Sequence, residues 1–280
     1  MSLFRPIRKV IQFFVDKSLA PGVHIDNRYQ IIKLLGSGSF GLVYKCKDLQ
    51  KNQMVAVKQL RPTKQKFKKE VALFNREICM LEQLNHKALP KLLHSFSGNL
   101  GHFYVMEYID GKNMEEVIFE EKRVYDEKAA LEFIRALTEA VGYLHRHEIY
   151  HGDLRIPNIM LREEKPVIID LGLAYGEKED FVARNLSSIL KSKKTQEERK
   201  QDDYHDLGDL LLFLLYTTFE KKHKKALPWT EELQLHHSTT NLLKRLLGID
   251  VPYSSINEIL EDIDVAIERF ELLRYFFLLK

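Results

Sequence analysis

Cysteine is scarce: Cys46 and Cys79 are the only two in 280 residues. Two thiols cannot build a disulfide framework and offer no metal-ligand pair, so both read as structural thiols in a reducing, cytoplasmic setting. Long apolar runs are missing as well. No stretch approaches the roughly 20 residues that span a bilayer, and the N-terminus lacks the uninterrupted apolar core and small-residue cleavage site of a secretion signal. A soluble chain without a transmembrane segment is expected. Charge of either sign is nearly balanced, 43 Lys and Arg against 40 Asp and Glu for a net +3, which argues against nucleic acid as the main partner. Internal repeats are absent, and the charged run from Lys191 to Asp203 is the one low-complexity stretch. What is present is core material, since 45% of the residues are hydrophobic, as in a globular protein.

The apolar pattern changes period along the chain. Leu3, Phe4, Ile7, Val10, Ile11, Phe14 and Val15 recur at helical spacing, predicting an amphipathic helix over residues 3 to 17 that ends before Pro21-Gly22. From Tyr29 to Leu60, short β-branched and apolar runs broken by glycines and by Lys51-Asn52 predict three antiparallel strands. A helix over Lys64 to Leu84 follows, with its stripe through Phe67, Val71, Phe74, Ile78 and Leu81, and then two strands over Lys91 to Phe96 and His102 to Tyr108. After Asp110-Gly111 the pattern turns helical over residues 126 to 147, 203 to 219, 239 to 247 and 255 to 279. The expected fold class is α+β: an extension (1–27), a small antiparallel sheet lobe with one main helix (28–109), and a larger, mostly helical lobe with a C-terminal helix (110–280).

Chemistry-bearing residues cluster in three places. Gly36-Ser37-Gly38-Ser39-Phe40-Gly41-Leu42-Val43 places three glycines where a strand turns back into a strand, so that backbone N–H groups can approach phosphates unobstructed. Alone, this is equally a glycine-rich hairpin. Val55-Ala56-Val57-Lys58 then sets an inward Lys on a strand, which needs an anion to be tolerated there, and Glu77 on the next helix can supply it. The third cluster is His151-Gly152-Asp153-Leu154-Arg155-Ile156-Pro157-Asn158, followed by the apolar strand Val167-Ile168-Ile169 and by Asp170-Leu171-Gly172. Two carboxylates and a carboxamide are thereby spaced around one short hairpin.

These motifs, in this order, resemble the protein kinase family in its Hanks-type serine/threonine form of bacteria, over roughly residues 28 to 265, with a close match to small soluble kinases of spore-forming bacteria. The resemblance implies a two-lobe protein-kinase-like fold, ATP and Mg²⁺ as cofactors, and a protein Ser/Thr hydroxyl as acceptor. It implies that Gly36, Ser37, Gly38, Ser39, Phe40, Gly41, Val43 and Ala56 bind nucleotide. Met106 would be the gatekeeper, and the Glu107 carbonyl and Ile109 amide would meet adenine. Lys58, held by Glu77, would orient the α/β-phosphates, while Asn158 and Asp170 would hold Mg²⁺. Asp153 would take the substrate proton, and Arg155 stands where the family commonly has Lys. Asp203 and Gly208 match the start of the helix that anchors the catalytic loop.

The chain also departs from the family. Gly152 replaces an Arg that pairs with a phosphate on the activation loop in many kinases, so switching by loop phosphorylation is not expected. Leu171 replaces the usual Phe and keeps an apolar plug. The segment from Ala174 to Gln201 contains no Ala-Pro-Glu, and Gly248 to Ser255 contains no Arg to pair with that Glu; loss of both predicts a different, locally consistent arrangement. Residues 185 to 200 are read as a charged helix with Ile189 and Leu190 facing inward.

Other features take blander readings. His145 and His147 are read as capping a helix C-terminus and His151 as part of the catalytic loop, rather than as a zinc site, for want of a Cys or paired acidic ligand. The Lys221–Lys225 run reads as a solvated loop rather than a lipid or nucleic-acid contact. The N-terminal helix reads as packed on the sheet lobe or on a second copy of the chain, ahead of peripheral contact with a membrane. The leading function is an autophosphorylating serine/threonine kinase. The alternatives are a phosphotransferase or ATPase serving a small molecule or one dedicated partner, motivated by the missing peptide platform, and a nucleotide-binding pseudokinase scaffold.

Overall fold

The computed structural model describes residues 16–38, 41–176, 194–220 and 227–278, with side chains described through residue 270. The expected N-terminal helix, Ser39 and Phe40, the inward-facing Ile189 and Leu190 and the Lys221–Lys225 run lie outside the described residues. The described residues divide into two compact units, the first running to Asn85 and resuming at Pro90–Ile109, the second holding His86–Leu89 and the described residues from Asp110 onward.

In the first unit β1 (His24–Ile25), β2 (Tyr29–Ser37), β3 (Gly41–Asp48), β4 (Gln53–Leu60), β5 (Leu92–Gly98) and β6 (Gly101–Glu107) form one antiparallel sheet in the order β1-β2-β3-β4-β6-β5. Period-two patterning decides the face: Leu42, Tyr44 and Cys46 of β3 are buried with Ile31, Val55, Val57, Phe103 and Val105. Burial of Ile31, Val57 and Phe103 contributes about 1.5–3 kcal/mol each. Asn52 closes the β3–β4 hairpin at φ 50, a conformation its short polar side chain tolerates. Asp48 is almost wholly buried; Arg28 donates to both its oxygens at 2.9 and 2.7 Å, and that guanidinium is the main cause holding the carboxyl at about 2. The extension is part of this unit from Asp16 on, since Leu19 and Val23 pack on the core and β1 adds a sixth strand.

Helix α1 (Lys68–Glu82) buries Ala72, Phe74, Glu77, Ile78, Met80 and Leu81. It starts four residues later than the periodicity predicts, so Phe67 sits at its N-cap, 49% exposed, and not in the apolar stripe.

The second unit carries β7 (Lys112–Asn113), β8 (Ile149–Tyr150), β9 (Ile159–Arg162), β10 (Lys165–Ile168) and β11 (Tyr175–Gly176), paired as β10-β9-β7 and β11-β8. Its frame is α2 (Glu127–Arg146), α3 (Gln196–Tyr216), α4 (His237–Leu246) and α5 (Ile256–Leu278), with α2 packed against both α3 and α5. Asp126 caps α2 by accepting the Ala129 N–H at 2.8 Å. Helix α3 begins at Gln196 rather than at 203, because Thr195 and Glu198 form a capping box that turns the charged run into its first turns. On α5 the fully buried line is Ile259, Ile263 and Ala266, with Ile256, Leu260 and Ile267 half-buried beside it. None of the described helices is long and apolar enough to cross a membrane.

Candidate active site

The predicted site residues fall in both units. In the first, the glycine-rich turn joins β2 to β3, with Gly36 opposite Val43 and the Gly38 N–H donating to the Gly41 carbonyl at 3.0 Å. A Cβ at Gly41 would lie 2.6 Å from the Gln59 carbonyl oxygen, so only glycine lets β3 approach β4 this closely. Val43 pairs across the sheet with Lys58. Lys58 is 4% exposed and donates to both carboxylate oxygens of Glu77, at 2.7 and 3.0 Å.

Burying that pair costs desolvation, which is repaid only when the remaining oxygens are also bonded. Tyr104 supplies such a bond, its hydroxyl donating to Glu77 Oε1 at 3.0 Å while its ring lies 5.7 Å from the Lys58 ammonium. Met106 and Ala56 are buried cross-strand neighbours on β6 and β4. Glu107 ends β6 with its N–H donating to the Lys91 carbonyl at 2.8 Å, and Ile109 is buried just beyond.

In the second unit, the loop from His151 to Asn158 runs between β8 and β9 and hangs on α3. Asp203 is fully buried and accepts the His151 N–H at 2.9 Å, the Gly152 N–H at 2.7 Å and the His145 Nε2–H at 2.8 Å. One helical turn on, Asp206 accepts the Leu154 N–H at 2.9 Å. Burial pushes the Asp206 carboxyl up to about 6, against the pull of that bond. Gly152 adopts φ +68, a left-handed conformation that glycine takes at the least cost, so the backbone itself favours glycine where many kinases have Arg.

Within this loop Asn158 Nδ2 donates to the Asp153 carbonyl at 2.9 Å and to Asp153 Oδ2 at 3.0 Å. The Arg155 guanidinium lies 3.2 Å from Asp153 Oδ2 with its own side chain 63% exposed. Asp170 Oδ1 accepts the Gly172 N–H at 3.0 Å, and the Ile169 N–H reaches the Asn158 carbonyl at 3.0 Å, tying the two oxygen-bearing residues to one hairpin. His151 is wholly buried, and desolvation lowers its pKa and favours the neutral ring, whose Nδ1 accepts the Asp153 N–H at 3.2 Å.

The structure therefore joins Lys58 to Glu77, and Asp153 to both Asn158 and Arg155. His147 bonds the Tyr143 carbonyl, as a capping residue does, but His145 is not a cap: its ring bonds the buried Asp203 carboxylate instead. Sequence reasoning missed Tyr104 and Asp206. The spacing of Asp203 and Asp206, three apart on one helix face, was a usable signal for the second.

Residues 29–188 match the family model of the protein kinase domain. The chain is 40% identical over 253 residues to the probable serine/threonine-protein kinase YbdM of Bacillus subtilis, covering 90% of this chain and 94% of that protein. It is 34% identical over 157 residues to the serine/threonine-protein kinase PknA of Nostoc sp., covering 53% of this chain and 28% of that protein. Among solved structures, the kinase domain of Mycobacterium tuberculosis PknI shares the fold with a TM-score of 0.66 at 19% identity, over 89% of this chain and 100% of that one. The chain belongs to the protein kinase family, as a serine/threonine protein kinase of the bacterial Hanks type.

Proposed function

We propose that this kinase binds ATP together with Mg²⁺ and transfers the γ-phosphate to a Ser or Thr hydroxyl of a protein, its own chain included. The observation that carries the reading is the buried Lys58–Glu77 pair, because an ammonium held this rigidly by two carboxylate oxygens has little structural use in a sheet core but suits the orientation of phosphates. The backbone of the glycine-rich turn would cover the phosphates, and Ala56, Met106, Glu107 and Ile109 would receive the adenine.

In the second unit Asp153 would accept the hydroxyl proton as the new oxygen–phosphorus bond forms and the bond between the β- and γ-phosphates breaks, releasing ADP. Asn158 keeps Asp153 aimed, and Arg155 would offset charge on the transferring group. The donor set fits a hard cation: Asp170 is a carboxylate, and the Asn158 amide nitrogen is committed to Asp153, which leaves its Oδ1 as the ligand atom. Magnesium bound there supplies neutralisation of phosphate charge.

Incubating purified protein with labelled ATP and Mg²⁺, alone and with generic protein substrates, and mapping the sites by mass spectrometry tests the reading. Label on Ser or Thr supports it. ADP release without protein label would instead support a small-molecule or dedicated-partner enzyme, and neither product a scaffold.

A further inference from the structure

We propose that Asp16 and Arg61 form a brace that holds the glycine-rich turn in its nucleotide-binding position, which makes Arg61 a positioning residue for ATP. The inference rests on the nucleotide role proposed above for that turn.

Arg61 follows β4 directly, three residues after Lys58. Its guanidinium points at three places at once: Nε donates to the Gly38 carbonyl at 2.7 Å, Nη2 to Ser37 Oγ at 2.9 Å and Nη1 to Asp16 Oδ2 at 3.2 Å. Asp16 is the fixed end. Its side chain is 2% exposed, and it also accepts the Thr63 N–H at 3.0 Å and the Thr63 hydroxyl at 2.9 Å. A buried carboxylate with donors on both oxygens has no freedom to follow the guanidinium, so the guanidinium must follow it.

Gly36 and Gly38 are the soft end. A Cβ added to Gly36 or to Gly38 would meet nothing within 4 Å, so packing at these two residues does not restrain the turn. Glycine backbone also loses the most entropy on ordering, so hydrogen bonds have to hold what packing does not. Arg61 supplies two of them, one of which fixes the Gly38 peptide itself. The planar fork is what the task needs: a lysine at this position would bring the charge and three donors, but all on one nitrogen, and could not span a carbonyl, a hydroxyl and a carboxylate that three separate guanidinium nitrogens reach.

The test uses the full-length protein with Asp16→Asn, Arg61→Gln and Arg61→Lys. The readouts are the KM for ATP, kcat at saturating ATP, the KM for the protein substrate, Tm, and amide hydrogen exchange of β2, β3 and α1. Losing the charge-assisted hold on the turn should raise the KM for ATP about tenfold in each variant. The protein-substrate KM and kcat should hold, and exchange should speed up at the ends of β2 and β3 next to the turn while α1 stays protected. Arg61→Lys keeps the aliphatic stem and guards against misfolding of Arg61→Gln. An unchanged KM for ATP in the folded variants of an active wild type overturns the brace alone, as does a fall in kcat with the KM for ATP unmoved. Failure of the wild type to bind nucleotide would instead sink the proposed function and, with it, the ATP role of Arg61.

Discussion

Asp203 accepts the backbone N–H of Gly152 at 2.7 Å from a position with no solvent exposure, so a carboxylate on α3 sets the path of the loop from His151 to Asn158 two residues from its β8 anchor. The same side chain holds His151 and His145. Replacing it by Ala leaves two amides and an imidazole without their acceptor, at about 1–3 kcal/mol for each group that stays buried. Asp203→Ala should therefore lose stability and phosphotransfer together, and Asp203→Asn, which keeps one acceptor oxygen, should fall between it and the wild type. Thermal denaturation and initial rates of the three proteins check this; an Asp203→Ala variant with wild-type Tm would count against the anchoring role.

Lys58 is both a proposed catalytic residue and half of a buried ion pair, and the two roles separate. Lys58→Met leaves the Glu77 carboxylate buried with Tyr104 still bonded to it. An orphaned buried charge costs about 3 kcal/mol or more. The expectation is a folded but destabilised protein whose transfer rate is down about a hundredfold or more. Lys58→Met with Glu77→Gln should recover most of the stability and none of the rate. Asp170→Asn should lose rate with little loss of stability, since Asp170 lies on a loop. Urea unfolding beside single-turnover transfer measures both quantities; recovery of the rate in the double variant would refute the assigned role of Lys58.

How far the sequence carried differs by residue, for physical reasons. The Lys58–Glu77 pair and the grouping of Asp153, Asn158 and Asp170 around one hairpin were legible because their motif spacings are ones that strands and hairpins set. The strands from Tyr29 to Leu60 were legible because one buried face imposes period two. Tyr104 was not, since it reads as one more apolar strand residue until its hydroxyl is seen on Glu77. Asp16 and Arg61 are 45 residues apart, and no local pattern joins them. The start of α3 was misjudged because residues 185 to 200 were read as a separate charged helix, although Thr195 and Glu198 already spelled a capping box that starts one helix at Gln196. Phe67 was assigned to the α1 stripe by periodicity alone, which does not say where a helix begins.

Two carboxylates should tilt the pH dependence of stability in opposite directions. Asp48 is held at about 2 against an ordinary 3.8, so its contribution is in place above about 4 and is lost as pH falls towards 2. Asp206 is raised from 3.8 to about 6, chiefly by burial and further by Asp203, Asp209 and Asp153. The native state then binds its proton more tightly than the unfolded state, so the Asp206 contribution is present below 3.8, declines as pH rises through about 6, and is flat above. Asp206→Asn keeps an acceptor for the Leu154 N–H and should abolish that decline. Denaturant midpoints of wild type and variant between pH 4 and pH 8 should converge at the acid end and separate above pH 6, and parallel curves would show that Asp206 does not titrate there.

The last prediction concerns the place where the family's late Arg was sought between Gly248 and Ser255 and not found. The structure sets Arg245 just before that stretch, in the last turn of α4, where a cation also suits the helix dipole. Its Nη1 donates to Asp262 Oδ2 and its Nη2 to Glu258 Oε2, both at 3.0 Å on α5, and its Nε to the Val251 carbonyl at 3.1 Å. The guanidinium also lies 3.7 Å from the centroid of the Tyr253 ring, whose hydroxyl donates to the same Asp262 oxygen at 2.5 Å. Arg245 thus ties α4, the connecting loop and α5 together with groups drawn wholly from the second unit. Its side chain is 27% exposed and those of its carboxylate partners 40% and 41%, so solvent screens the pairs, and Arg245→Ala should cost about 1–2 kcal/mol. Arg245→Lys keeps the charge but neither the fork nor the stacking, and should recover less than half of that loss. The ATP KM should not move in either variant, because no residue proposed to touch nucleotide is altered. Calorimetry of the two variants with ATP kinetics at one temperature decides the matter: if Arg245→Lys is as stable as wild type, a point charge suffices and the three-way tie is not what holds α4 to α5.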